Sequence, residues 1–189
     1  MKTLIRFRAK PQGALILLFA LALICFAFSP KTQAISPPPD GGYPGGNTAE
    51  GQSALSSLTT GVYNTAVGWF SLESDTTGNF NTGMGAGTLL LNTGDENTAT
   101  GAGALFSNTA GIDNTGIGAF ALFSNTEGER NNAVGTGALF ANNTNFNNAF
   151  GAFALEANTT GGPNCAFGDE ALQENTTGSN NTAIGYQAL

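Results

Sequence analysis

Asn181-Thr182-Ala183-Ile184-Gly185-Tyr186-Gln187-Ala188-Leu189 closes the sequence, and the residues back to Asn47 are variations on the same phrase. With its Asn counted as offset zero, the phrase begins at Asn47, Asn64, Asn81, Asn97, Asn114, Asn131, Asn147, Asn164 and Asn181. The spacing is 17 residues, with two copies of 16. A short fixed period over nine copies is the signature of stacked coils. Offset two is only ever Ala or Gly, offset four is Gly from Gly51 to Gly185, and offset eight is Leu from Leu55 to Leu189. A second turn phrase follows in each copy, as in Asn158-Thr159-Thr160-Gly161 and Asn175-Thr176-Thr177-Gly178.

Seventeen residues are too few for two packed helices and a turn, and each fixed Gly would cost a helix about 1 kcal/mol. Two short strands joined by tight corners fit, because Gly and Asn tolerate positive φ and Asn and Thr side chains cap turn backbone. The expected fold is all-β, a parallel β-solenoid or β-roll of nine 17-residue coils. Along a strand the side chains alternate. Offset three is Val67, Met84, Ile117, Val134, Phe150, Phe167 and Ile184, with Glu50 and Thr100 as exceptions, and is assigned with the offset-eight leucines to the core. The small Ala/Gly face is assigned to the close approach of another backbone, either the opposite strand of the same coil or another subunit.

Coils stacked about 4.8 Å apart make a rod of roughly 40 Å, in which like residues form columns. Phe106, Phe123 and Phe140 share offset nine in successive copies and are expected to stack, as corner packing more than as a ligand platform. The offset-zero asparagines are expected to form a column of amide hydrogen bonds.

Ahead of the array, Lys2, Arg6, Arg8 and Lys10 precede an apolar run from Ala14 to Phe28, and small residues follow at Thr32 and Ala34. Residues 1–34 therefore read as a secretory signal peptide cleaved after Ala34, with an uncleaved anchor as the alternative. Residues 35–46, rich in Pro and Gly, are expected to be an extended, mobile linker, and 47–189 the repeat domain. Cleavage removes five of the six basic residues and leaves Arg130 against thirteen carboxylates, a net charge of −12. Nucleic acid and anionic membrane surfaces are disfavoured as partners. Of the two cysteines only Cys165 remains, which excludes a disulfide within the mature chain. It reads as a small side chain at offset one, with a disulfide between chains as the other option.

The repeated Asn-Thr-Ala-Ile-Gly phrase of residues 181–185, behind a secretory leader, resembles the head repeats of trimeric autotransporter adhesins, the YadA-like head. The likeness covers residues 47–189. It implies a left-handed parallel β-roll, association of three chains and binding to host or matrix surfaces. The period here is longer than is usual in those heads. Neither a coiled-coil stalk nor a membrane barrel follows Leu189, and the last copy stops nine residues in. Either the chain is part of a longer one or this end is a contact surface.

The parts of ordinary catalysis are missing. There is no His anywhere and no Lys after Lys31, so the commonest general base, metal ligand and amine nucleophile are absent. Ser53, Ser71 and Ser107 have no Gly-x-Ser-x-Gly surroundings. Gly83-Met84-Gly85, Gly101-Ala102-Gly103 and Gly135-Thr136-Gly137 are by-products of the repeat and carry no nucleotide-site context. No copy has a calcium-roll phrase, and Asp169-Glu170 reads as a solvated pair. No catalytic, cofactor-binding or metal-binding residue is assigned, and no cofactor. The sequons at Asn158 and Asn175 follow from the corner motif.

The function expected is non-enzymatic: a secreted or cell-surface repeat protein, homo-oligomeric and by resemblance trimeric, presenting a repetitive surface for adhesion or cell-surface structure. The alternative is binding to ice or a crystalline polymer through the Thr column Thr48, Thr65, Thr82, Thr98, Thr115 and Thr182, which Asn132, Asn148 and Cys165 interrupt.

Overall fold

A computed structural model describes residues 43–189. The signal-peptide assignment, and the linker up to residue 42, lie outside the described residues. Among those described, no helix is long and apolar enough to cross a membrane.

The array is a parallel β-solenoid. Nine three-residue strands, β1 (Thr48–Glu50), β2 (Thr65–Val67), β3 (Thr82–Met84), β4 (Thr98–Thr100), β5 (Thr115–Ile117), β6 (Asn132–Val134), β7 (Asn148–Phe150), β8 (Cys165–Phe167) and β9 (Thr182–Ile184), form one sheet in chain order. Like offsets pair throughout, and this holds across the two 16-residue copies, where Thr82 meets Thr98 and Asn132 meets Asn148. The missing residue is taken out of the corner before the next Asn, so the strand register never slips.

Each coil has one strand, where two were expected. The Leu segment is a turn, because offsets six and eight both adopt left-handed φ; the leucines from Leu55 to Leu172 lie at φ 49° to 53°. It still hydrogen-bonds from coil to coil. The Leu122 N–H donates to the Ala138 carbonyl at 3.0 Å, while Gly118 N–H donates the other way, to Thr100, at 2.8 Å. Holding a branched residue at αL costs about 1–2 kcal/mol. Burying a Leu in a tight core is worth roughly 2–5 kcal/mol, and Leu72, Leu89, Leu105, Leu122, Leu139 and Leu155 are all fully buried. Packing wins over backbone preference.

The core assignment of offset three is corrected. Its side chains point outward, with Met84, Ile117, Phe167 and Ile184 exposed, and it is offset two that is buried: Ala66, Ala99, Ala133, Ala149 and Ala166 are inaccessible. The reason is the thinness of the coil. The leucine arrives from the opposite segment and leaves room inside the strand for a methyl group or less; a Cβ added to Gly116 would lie 3.4 Å from Leu105 Cγ. The close approach expected for the Ala/Gly face is thus made within one chain, by the turn segment of the same coil (Ala121 O, 3.3 Å from a Cβ on Gly116) together with the leucine of the coil before it. Where Thr88 replaces the usual Ala at offset seven, Gly83 stands at offset two, and a Cβ there would come within 2.9 Å of Thr88 Oγ1.

The last residues of the expected linker are ordered. Pro44–Gly46 form a short 3-10 segment kinked at left-handed Gly45, and Gly45 accepts the Tyr63 N–H at 2.9 Å, the bond that the following corners repeat as far as Phe146. Residues 43–46 therefore act as the closing corner of a coil laid against the first.

Candidate functional surface

Two asparagine columns fix the corner from which every outer face is displayed. The offset-zero column runs Asn47 to Asn181. Each side-chain oxygen accepts the backbone N–H of the next Asn, as in Asn64 to Asn47 at 2.7 Å and Asn181 to Asn164 at 2.9 Å. Each NH2 closes its own coil; Asn114 Nδ2 donates to the Gly128 carbonyl at 2.7 Å. The expected amide column is present, but its strongest bonds go from side chain to backbone. A second column at offset eleven, Asn92, Asn108, Asn125, Asn142, Asn158 and Asn175, links amide to amide, at 2.7 Å between Asn108 and Asn92. Asn158 is fully buried in it, which leaves that sequon inaccessible in the folded coil.

Asp75 takes the place of Asn in the second column. It is fully buried, and burial raises its pKa above the usual carboxylate range even though Gly78 N–H and Asn81 Nδ2 donate to it at 2.7 and 3.3 Å. The cost of stripping water from the charge exceeds what the donors return.

The outer face of the sheet carries two parallel columns. Offset one is polar, half-buried in β2 to β8 and exposed at the two ends: threonine in β1 to β5, then Asn132, Asn148 and Cys165, with Thr182 last. Offset three beside it is apolar in seven of nine coils, and Phe150 and Phe167 lie 5.7 Å apart between ring centroids. Phe167 is 57% exposed and Ile184 75%. The strip has no ionisable group beyond Glu50 and Cys165.

Aromatic side chains mark two other columns. Phe106, Phe123 and Phe140 stack as expected, with centroids 5.1 and 5.2 Å apart, and Phe120 meets Phe123 edge-on. Both faces of Phe123 are covered in this stack, and one face each of Phe106 and Phe140. At offset sixteen Tyr63 stacks on Phe80 at 5.3 Å, and Arg130 sits over Phe146.

Charge gathers at the same corner. Arg130 Nε reaches Asp113 at 3.4 Å, with Arg130 exposed and Asp113 half-buried. The neighbouring Asp113 carboxyl, with Asp95 adding to it, raises the Glu96 pKa, because sharing a proton with Asp113 favours the neutral acid. No group of three or more metal-ligating side chains converges among the described residues. Asp169 does not act with Glu170; its oxygen accepts the Ala152 N–H at 2.8 Å in the preceding coil. Ser53, Ser71 and Ser107 sit in separate coils, and Ser71 bonds Thr88 inside the core at 2.8 Å.

Comparison with known proteins returns no matching family model, no matching curated protein and no matching solved structure.

Proposed function

We propose that this is a non-enzymatic, secreted surface protein that self-associates through the outer sheet face and presents its remaining columns as a repetitive adhesive exterior. The observation that carries the reading is the apolar strip of offset three, from Val67 to Ile184, left uncovered on a regular sheet. Contiguous exposed apolar surface on an otherwise polar protein marks an interaction site. A strip repeated in register in seven of nine coils fits an identical strip, because a second copy has the same spacing over the same length. Three chains, as in the adhesin heads whose repeats these resemble, would bring the Phe150, Phe167 and Ile184 side chains together around one axis.

Light scattering on the purified protein tests this. A mass of three chains supports it, and a monomer at tens of micromolar would remove the interface and with it the grounds for the adhesin class. Cys165 lies on the same face as Phe167, so mild oxidation of the assembly should also give disulfide-linked dimers in preference to higher species.

A second reading, lattice binding, draws on the in-register run Thr48, Thr65, Thr82, Thr98 and Thr115. These hydroxyl-bearing side chains are spaced by strand pairing alone, as a crystalline ligand would require. Thermal hysteresis of the purified protein measures it, and its complete absence rejects ice as that ligand.

A further inference from the structure

The corner between the sixth and seventh coils differs from the others. Coil 131–146 is one of the two 16-residue copies, and the residue it lacks comes from the turn that Thr60, Thr77, Glu127 or Thr160 fills elsewhere. Beside the full-length corner of the next coil, the shortage leaves an open notch of about 410 Å3 lined by Asn143, Thr144, Asn145, Phe146, Thr160 and the Gly162-Pro163 pair. No lining residue is ionisable, in a chain whose exterior is otherwise strewn with carboxylates.

The hydrogen bonds at the rim decide what the notch offers. Asn143 Oδ1 accepts from Thr126 N–H at 2.9 Å, Thr126 Oγ1 at 2.8 Å and Glu127 N–H at 3.0 Å. Asn145 Oδ1 accepts from Glu129 N–H at 2.8 Å. Both amides are therefore held by their oxygens, and both NH2 groups stay exposed without a partner among the described residues, as does the Thr160 hydroxyl. Between them Phe146 is 45% exposed, with Arg130 over its ring at 5.8 Å. The other 16-residue copy has no such corner: Asp95 and Glu96 occupy it, and Asp95 takes the Asn79 N–H at 2.8 Å.

We propose that this notch is a binding subsite for a neutral saccharide. Fixed amide donors suit hydroxyl and ring oxygens, the Pro163 ring and the part of Phe146 that Arg130 leaves free suit the C–H face of a pyranose, and a lining without an ionisable group suits a ligand that carries no charge. The volume falls at the low end of the roughly 300–1,000 Å3 of small-molecule sites, enough for a terminal residue or two of a chain that continues into solvent. The subsite lies on the corner and not on the sheet face, so it stands whether or not that face pairs with another copy.

The test is binding of the full chain to a panel of neutral oligosaccharides (gluco-, manno- and galacto-configured trimers) against their uronic-acid counterparts. Detection is by line broadening of ligand protons and by shifts of the Asn143 and Asn145 side-chain amides. At least one neutral trimer is expected to bind at or below millimolar concentration, with the uronate weaker. Phe146→Asn is expected to reduce affinity at least tenfold without loss of fold, since Asn180 fills the equivalent place just before the next corner Asn at φ 60°. Asn145→Asp keeps the oxygen that holds Glu129 and removes the donor, and should do the same. Phe80→Asn, the equivalent change four coils earlier, should leave affinity unchanged. No binding by any neutral trimer at ten millimolar overturns the proposal, as does binding that survives both notch variants or falls equally in Phe80→Asn. Light scattering on the same samples reports self-association independently, so failure of one reading is not failure of the other.

Discussion

At the scale of single residues, the corner amides do what charge cannot. Asn114 uses all of its capacity: Nδ2 donates to Gly128 and to Asn97 Oδ1, and its own oxygen accepts from both nitrogens of Asn131. Asn114→Asp preserves shape but sets a buried carboxylate against two oxygens that lost their donor. The expected cost at pH 7 is about 3 kcal/mol or more, partly recovered on acidification as the carboxyl takes up a proton, and denaturant melts at pH 4 and pH 7 would show it. Asp75 is the natural counterpart. Its pKa is raised in the fold, so the folded state prefers the neutral acid. The contribution is most favourable below the unfolded carboxylate pKa and is lost as pH rises through the raised folded value. Asp75→Asn is therefore expected to stabilise the protein at pH 7 by on the order of 1 kcal/mol. It should also flatten the fall in stability between pH 4 and 7 to which Glu96, shifted in the same direction by Asp113, contributes as well.

At the scale of the coil, one strand and one left-handed turn share the work. Gly118 has φ 130°, and a Cβ there would lie 2.5 Å from the Gly135 carbonyl oxygen, so both backbone strain and the neighbouring coil oppose any side chain. Gly118→Ala is expected to separate the fifth and sixth coils and to destabilise by several times the roughly 1 kcal/mol that the loss of glycine freedom in the unfolded chain would gain, read as a lowered midpoint in urea. Leu122→Ala gives a cleaner measure of the core, because Ala keeps the same left-handed strain as Leu; the expected loss is about 3 kcal/mol.

Both columns were legible in the sequence, since Gly51 to Gly185 and Leu55 to Leu189 never vary. What could not be read was which face of the strand turns inward. Alternation is symmetric, and the large side chains Met84 and Phe167 looked like core until the opposite leucine showed how little space remained. The left-handed Leu was hidden for a related reason, because the residue type reports the burial requirement and masks the backbone one. The notch at Phe146 was present in the sequence only as a 16-residue spacing, which says where a corner is short but not that its amides are held open.

For the whole molecule, stability is a sum over neighbouring coils, whereas the proposed association would rest on the column of side chains that points away from the core. That separation can be tested by changing the offset-three strip without touching the core. Thr100 already stands in it, paired in register with Met84 and Ile117, so threonine is compatible with the strand. Replacing Phe150 and Phe167 together by Thr removes the largest apolar pair on the sheet face, whose rings pack 5.7 Å apart. If the strip serves self-association, the double variant should lower the oligomer mass at equal concentration, weaken assembly by at least tenfold and shift the thermal midpoint of the isolated chain by no more than a few degrees. If the two rings served only the coil, the melting temperature would fall and the mass would not. Because the apolar area lost is the same in either case, the comparison isolates where that area is buried, and sedimentation equilibrium beside a thermal melt supplies both readings.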